Sequence, residues 1–104
     1  MKKIELKLVE KTPQTEGMES WKDLLLYTVN HVNPQAPLNL EQMDERLNVM
    51  NKIKAIPHGG FLELEDAEFR VLSECTAKYP IYGVSQMLSD CFKEVKKINE
   101  EPAK

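Results

Sequence analysis

Glu63, Glu65, Asp66 and Glu68 crowd four carboxylates into one short stretch, and acids grouped in this way can move protons or ligate a divalent cation through oxygen. Either chemistry needs a further contributor, and neither a second acidic motif nor a positioned histidine supplies one. Acids at the start of a helix are accounted for by capping and by their attraction to the positive end of the helix dipole. His58-Gly59-Gly60 sets an imidazole beside two glycines but lacks the G-x-G-x-x-G and G-K-S/T spacings that wrap phosphates, so it reads as a turn. Ser73, Ser85 and Ser89 fall in helical stretches without the G-x-S-x-G elbow that exposes a nucleophile. Cys75 and Cys91 sit in apolar stripes, which predicts reduced, unreactive thiols inside a core. With His31 and His58 they show no C-x-x-C or H-x-x-x-H spacing for zinc. No catalytic residue, metal ligand or cofactor is expected, and the chain reads as a non-enzyme.

Two other groups of residues suit binding. Trp21, Leu26, Tyr27, Tyr79, Ile81 and Tyr82 are more large side chains at loops and off-stripe positions than one small core needs. Aromatic residues at the centre of an interface carry much of its binding energy. Trp21, Tyr27, Tyr79, Ile81 and Tyr82 are therefore the expected anchors for a protein partner, a second copy of the chain included. Lys52, Lys54, Lys93, Lys96 and Lys97, with His58, form the alternative set, as phosphate contacts of a small DNA-associated regulator built on a helix pair and a short strand. Against it, Arg46 and Arg70 are the only arginines, although arginine is the commonest reader of guanine edges. Lysines on a helix usually form a solvated face, so nucleic acid is not the expected partner.

The framework that positions these residues is small. A chain of 104 residues holds one core, and 41% hydrophobic with 30% charged residues is a globular composition. A net charge of -3 gives no overall field to attract phosphate. Met1 to Glu10 alternates charged and apolar residues and has no stretch suited to secretion or membrane insertion, so a cytoplasmic protein without membrane contact is expected.

Ile4, Leu6 and Leu8 alternate with charged residues, the period of a strand with one buried face, and predict a strand over 1–9. Polar residues around Pro13, closing on Gly17, predict a mobile loop over 10–19. Ser20 is placed to cap a helix carrying Trp21, Leu24, Leu25, Val29 and Val32 inward, ended by Asn33-Pro34. Asn39 and Gln42 stand at capping-box spacing, with Leu38 and Met43 as a hydrophobic staple. Leu40, Met43, Leu47, Met50 and Ile53 then predict a buried apolar seam up to Pro57. Leu62 and Leu64 share one side of a second short strand, expected to pair with the first. Glu65 and Glu68 start a third helix that carries Phe69, Leu72, Cys75 and Thr76 inward. Tyr79 to Gly83 turns the chain into a last helix, whose stripe of Val84, Met87, Leu88, Cys91, Phe92, Val95 and Ile98 is the strongest in the sequence; residues 99–104 should fray. The order β-α-α-β-α-α predicts a mainly helical α+β domain of about four helices covering a two-stranded sheet, which two strands alone could not sustain.

Residues 46–98 resemble small proteins encoded by tailed bacteriophages. The likeness rests on the helix from Arg46 through Lys52-Ile53, the short strand, the helix start Glu65-Asp66-Ala67-Glu68, then Tyr79-Pro80 and the amphipathic last helix. It implies a phage or prophage origin, hence a bacterial host cell, and no particular activity.

Overall fold

The computed structural model describes residues 1–101 apart from Glu16 and Tyr82, with Gln14 described by its backbone alone. The alternating start of the chain forms β1 (Lys2–Glu5), which pairs antiparallel with β2 (Phe61–Leu64) so that Ile4 faces Leu62 and Lys3 faces Glu63. Ile4, Leu62 and Leu64 are buried on one face. The other face carries the opposed charges of Lys3 and Glu63, and the Lys3 ammonium lies 5.0 Å from the centre of the Phe61 ring.

The strand stops four residues short of the expected Val9. Leu6 still exchanges backbone hydrogen bonds with Gly59 and Gly60, both at 2.8 Å. The Lys7 carbonyl then accepts from the Trp21 N–H at 2.9 Å, and the Val9 N–H donates to the Glu19 carbonyl at 3.1 Å. The chain has changed partners, and the two-residue alternation no longer maps onto one buried face. Leu8, expected in the core, is 69% exposed. The expected mobile loop holds a 3-10 turn, Pro13–Thr15, where the buried Thr15 hydroxyl donates to the Glu10 carbonyl at 2.6 Å.

Ser20 caps α1 (Trp21–Asn30) by accepting the Lys22 N–H at 3.1 Å. This helix ends before the predicted Asn33-Pro34, so Val32 falls outside it and is exposed. The reason lies in α2 (Leu40–Lys54): the Arg46 guanidinium donates to the Val29 and His31 carbonyls, two acceptors that the helix end leaves open. The expected capping box is present, with Asn39 Oδ1 accepting from Gln42 at 2.8 Å and Gln42 Oε1 from Asn39 at 3.1 Å. The seam predicted for α2 holds at Ile53 and in part at Met50, but not over the rest of its length. Val49 and Ile53 are buried, while Leu40, Met43 and Leu47 are exposed. Two apolar stripes overlap on this helix, and the one that continues from Arg46 through Val49 to Ile53 faces the rest of the molecule.

Phe69, Leu72, Cys75 and Thr76 are buried on α3 (Asp66–Lys78), as their spacing predicts. Cys91, Val95 and Ile98 are buried on α4 (Gln86–Glu100), with Met87, Leu88 and Phe92 half-buried beside them. Val84 precedes the helix and is 98% exposed, so it leaves the predicted stripe. Asn99 and Glu100, expected to fray, belong to α4, and the Asn99 carbonyl accepts a hydrogen bond from Lys2 Nζ at 2.7 Å. The remaining tail, Pro102 to Lys104, lies outside the described residues. Helix α3 packs on α1, α2, α4 and β2, and α4 also covers β1, so one core unites the helices and the sheet. Among the described residues, no helix is long and apolar enough to cross a membrane.

Candidate interaction surface

Leu40, Met43, Leu47 and Met50 recur at three- and four-residue steps, which lines them up along one face of α2. Core packing uses the neighbouring face, and Leu40 stays 70% exposed while Met43 and Leu47 each stay 47% exposed. Met50 is half-buried at the end of this row, where it meets α1. There it lines a groove of about 360 Å³ together with Asp23, Leu26, Tyr27 and Asn30. Tyr27 lines the groove and is 57% exposed. A row of methionine and leucine beside an accessible tyrosine gains free energy when water leaves it, and methionine adapts readily to the shape of what it meets.

Of the anchors expected from sequence that are among the described residues, Tyr27 alone joins this surface. Trp21 is 6% exposed and belongs to the core, with the Lys7 ammonium 5.0 Å from its ring centre. It is the first residue of a capped helix whose inward face it shares with Leu24 and Leu25. Tyr79 is half-buried and packs edge-on against His31 and Phe92, with ring centres 5.5 and 5.9 Å apart, tying the end of α1 to α4. Ile81 is exposed in the connection between α3 and α4, near Val84 in sequence. Tyr82 lies outside the described residues. The exposure of Leu40, Met43 and Leu47 was missed because the competing row of Arg46, Val49 and Ile53 has the same helical spacing. The β-branched pair Val49 and Ile53 was the one available sign of which row turns inward.

The lysines do not gather into one field. Lys52 and Asn48 both donate to Glu68 Oε2, and the Glu65 N–H donates to Glu68 Oε1 at 2.8 Å. Burial pushes the Glu68 carboxyl up, but the hydrogen bonds from Lys52, the Glu65 backbone and Asn48 outweigh it and hold the group below its ordinary value. Glu68 is thereby engaged in joining α2 to α3, and Lys52 with it. Lys93 and Lys97 line a groove of about 640 Å³ with Lys7, but Glu10, Asp90 and Glu94 line it too and balance the charge. Lys54 stands on the last turn of α2 and Lys96 on α4, both exposed. Among the described residues, no three histidine, cysteine, aspartate or glutamate side chains converge as a metal site would require.

One cluster was invisible in the sequence because its members are far apart in the chain. Ser20 Oγ and His58 Nδ1 are hydrogen-bonded at 2.6 Å, and His58 Nε2 is 3.4 Å from the Glu19 carboxylate. A serine, a histidine and an acid in contact suggest nucleophilic catalysis, but Ser20 is fully buried and its Oγ already accepts the Lys22 N–H. The adjoining Trp21 and Asp23 amides are bonded to the Lys7 and Ser20 carbonyls, so neither can stabilise an oxyanion. The cluster instead fastens the His58-Gly59-Gly60 turn to the start of α1. Burial pushes the Cys91 thiol up to about 12, with Glu94 adding to the effect, and burial likewise raises Cys75.

Compared with known proteins, the chain matches no family model, no curated protein and no solved structure at a significant level.

Proposed function

We propose that this protein carries out no chemistry of its own and acts by contact with other protein, as an accessory or assembly factor in the phage setting implied by the resemblance of residues 46–98. The observation that carries this reading is the exposed row Leu40, Met43 and Leu47, continued by Met50 and Tyr27 into the groove between α1 and α2. Large exposed apolar residues in contiguous rows are uncommon on monomeric proteins and mark surfaces that become covered. The buried state of Ser20 and of both cysteines supports the non-catalytic part.

The test is a binding comparison between the natural chain and Tyr27→Ser/Met43→Glu, two changes at exposed positions. Natural protein should hold a partner, a second copy included, in cross-linking and co-purification, and the double variant should lose it while keeping its circular dichroism spectrum. Identical cross-linking and co-purification patterns for both proteins would refute the assignment of this surface.

A further inference from the structure

We infer that the exposed row on α2 pairs with the same row of a second copy of this chain, the two helices running antiparallel about a two-fold axis between Leu47 and Met50. The inference rests on the contact reading above and names its partner. Its basis is the distribution of charge along α2. Glu41, Asp44 and Glu45 occupy the first half of the helix, where the one base, Arg46, is turned to the end of α1, and Lys52 and Lys54 the last turn. Asp44, Arg46 and Lys54 are the charged residues set beside or within the apolar row by helical spacing, and the Arg46 guanidinium is already spent on the Val29 and His31 carbonyls, which leaves Asp44 and Lys54. Among the described residues, neither is within 4.0 Å of an opposite charge.

A helix with acids at one end and bases at the other is complementary to its own reverse. Antiparallel pairing places Leu47 against Met50 of the second copy at the centre and Met43 against the aliphatic stem of its Lys54, leaving that ammonium beside Asp44. The same contact recurs on the other side of the axis, as a two-fold interface demands. Parallel pairing would instead set Asp44 beside its own copy and align the two helix dipoles. Tyr27, which borders Met50 in the groove between α1 and α2, falls next to the axis and extends the apolar centre. Row spacing of three and four residues from Leu40 to Lys54 is the spacing that lets one helix seat side chains between those of another.

Sedimentation equilibrium of the full chain tests this. The natural protein should be a dimer in the micromolar range, and Leu47→Glu a monomer. Asp44→Lys and Lys54→Glu should each weaken dimerisation by about ten-fold or more, since each creates two like-charge contacts, and the double variant should recover the natural affinity. Asp44 and Lys54 are exposed in the monomer, so these variants keep the test valid even if Leu47→Glu impairs folding. A natural chain that stays monomeric, a dimer indifferent to Leu47→Glu, or a double variant no tighter than the singles would each overturn the pairing. A monomer that binds a different protein through the same row would overturn self-pairing and leave the contact reading intact; loss of both would remove both.

Discussion

Leu6 and Leu8 share one face on a two-residue alternation, yet the structure gives them opposite fates, and replacing each by alanine separates packing from pattern. Leu6 is fully buried between the sheet and the helices, and its N–H and carbonyl are bonded to Gly60 and Gly59. Those backbone bonds survive the substitution, so the expected cost is that of deleting buried methyl groups and leaving a cavity, about 2 to 5 kcal/mol. Against a total stability of roughly 5 to 15 kcal/mol for a domain of this size, that is a large share. Taking the middle of the range, the melting temperature should fall by about 10 to 20 °C. Leu8→Ala removes a side chain that is 69% exposed and should cost less than about 0.5 kcal/mol. Urea unfolding followed by circular dichroism and by fluorescence of Trp21, the only tryptophan, measures both. Trp21 suits the purpose because its N–H is bonded to Lys7, one residue beyond Leu6. Equal costs for the two variants, or a cost under about 0.5 kcal/mol for Leu6→Ala, would show that the segment after β1 does not close the core.

Arg46→Ala should cost about 1.5 to 3 kcal/mol in the same unfolding assay, because it leaves the Val29 and His31 carbonyls at the end of α1 without their charged donor. Both bonds come from one guanidinium nitrogen, so Arg46→Lys should recover part of the loss to the extent that its more strongly hydrated ammonium reaches the same carbonyls. Glu68→Gln should destabilise the protein at neutral pH; because the folded value of Glu68 lies below its ordinary 4.5, its contribution is full above pH 4.5 and fades as pH falls through the folded value. Unfolding free energies of natural and variant protein should therefore converge on acidification, and a gap that stays constant would count against the carboxylate. Cys91, with its thiol pushed up to about 12, and Cys75 should resist thiol reagents in the native protein at mildly alkaline pH. They should label only as fast as the fold opens, whereas immediate modification would mean that the core is accessible.

Local signals proved readable wherever a single residue or spacing settles the backbone. Ser20, Asn39 with Gln42, and the Glu68 side chain all satisfy helix-start amides as their positions predict, and the period-two apolar residues around Ile4 and Leu62 mark both strands and their pairing. What failed was the choice between faces. On α2 two rows have the same period, and beyond the β-branched pair Val49 and Ile53 nothing within the helix says that these two turn inward while Leu47 turns to water. Helix α1 ends where it does because Arg46, from another helix, caps it. The size of Trp21 suits an anchor, but its place in the first turn, in line with Leu24 and Leu25, favours the core. The Ser20–His58 contact joins residues 38 apart and has no local sign at all.

The pairing of β1 has a consequence for the order in which the molecule is made. On the ribosome β1 emerges long before β2, and its other support, the end of α4, comes later still, since Lys2 reaches across 97 residues to Asn99. Closing a loop of that length carries an entropic cost before any contact offsets it. Both helical hairpins can form and dock while Ile4 and Leu6 still wait uncovered, so a segment made before either hairpin can be the last to find its place. For that interval the nascent chain presents an unpaired edge with two apolar side chains, the kind of surface that chaperones hold and that aggregation exploits. The charged residues that alternate with them, Lys3, Glu5 and Lys7, are of the kind that keeps such a strand soluble and discourages its pairing with a neighbouring nascent chain.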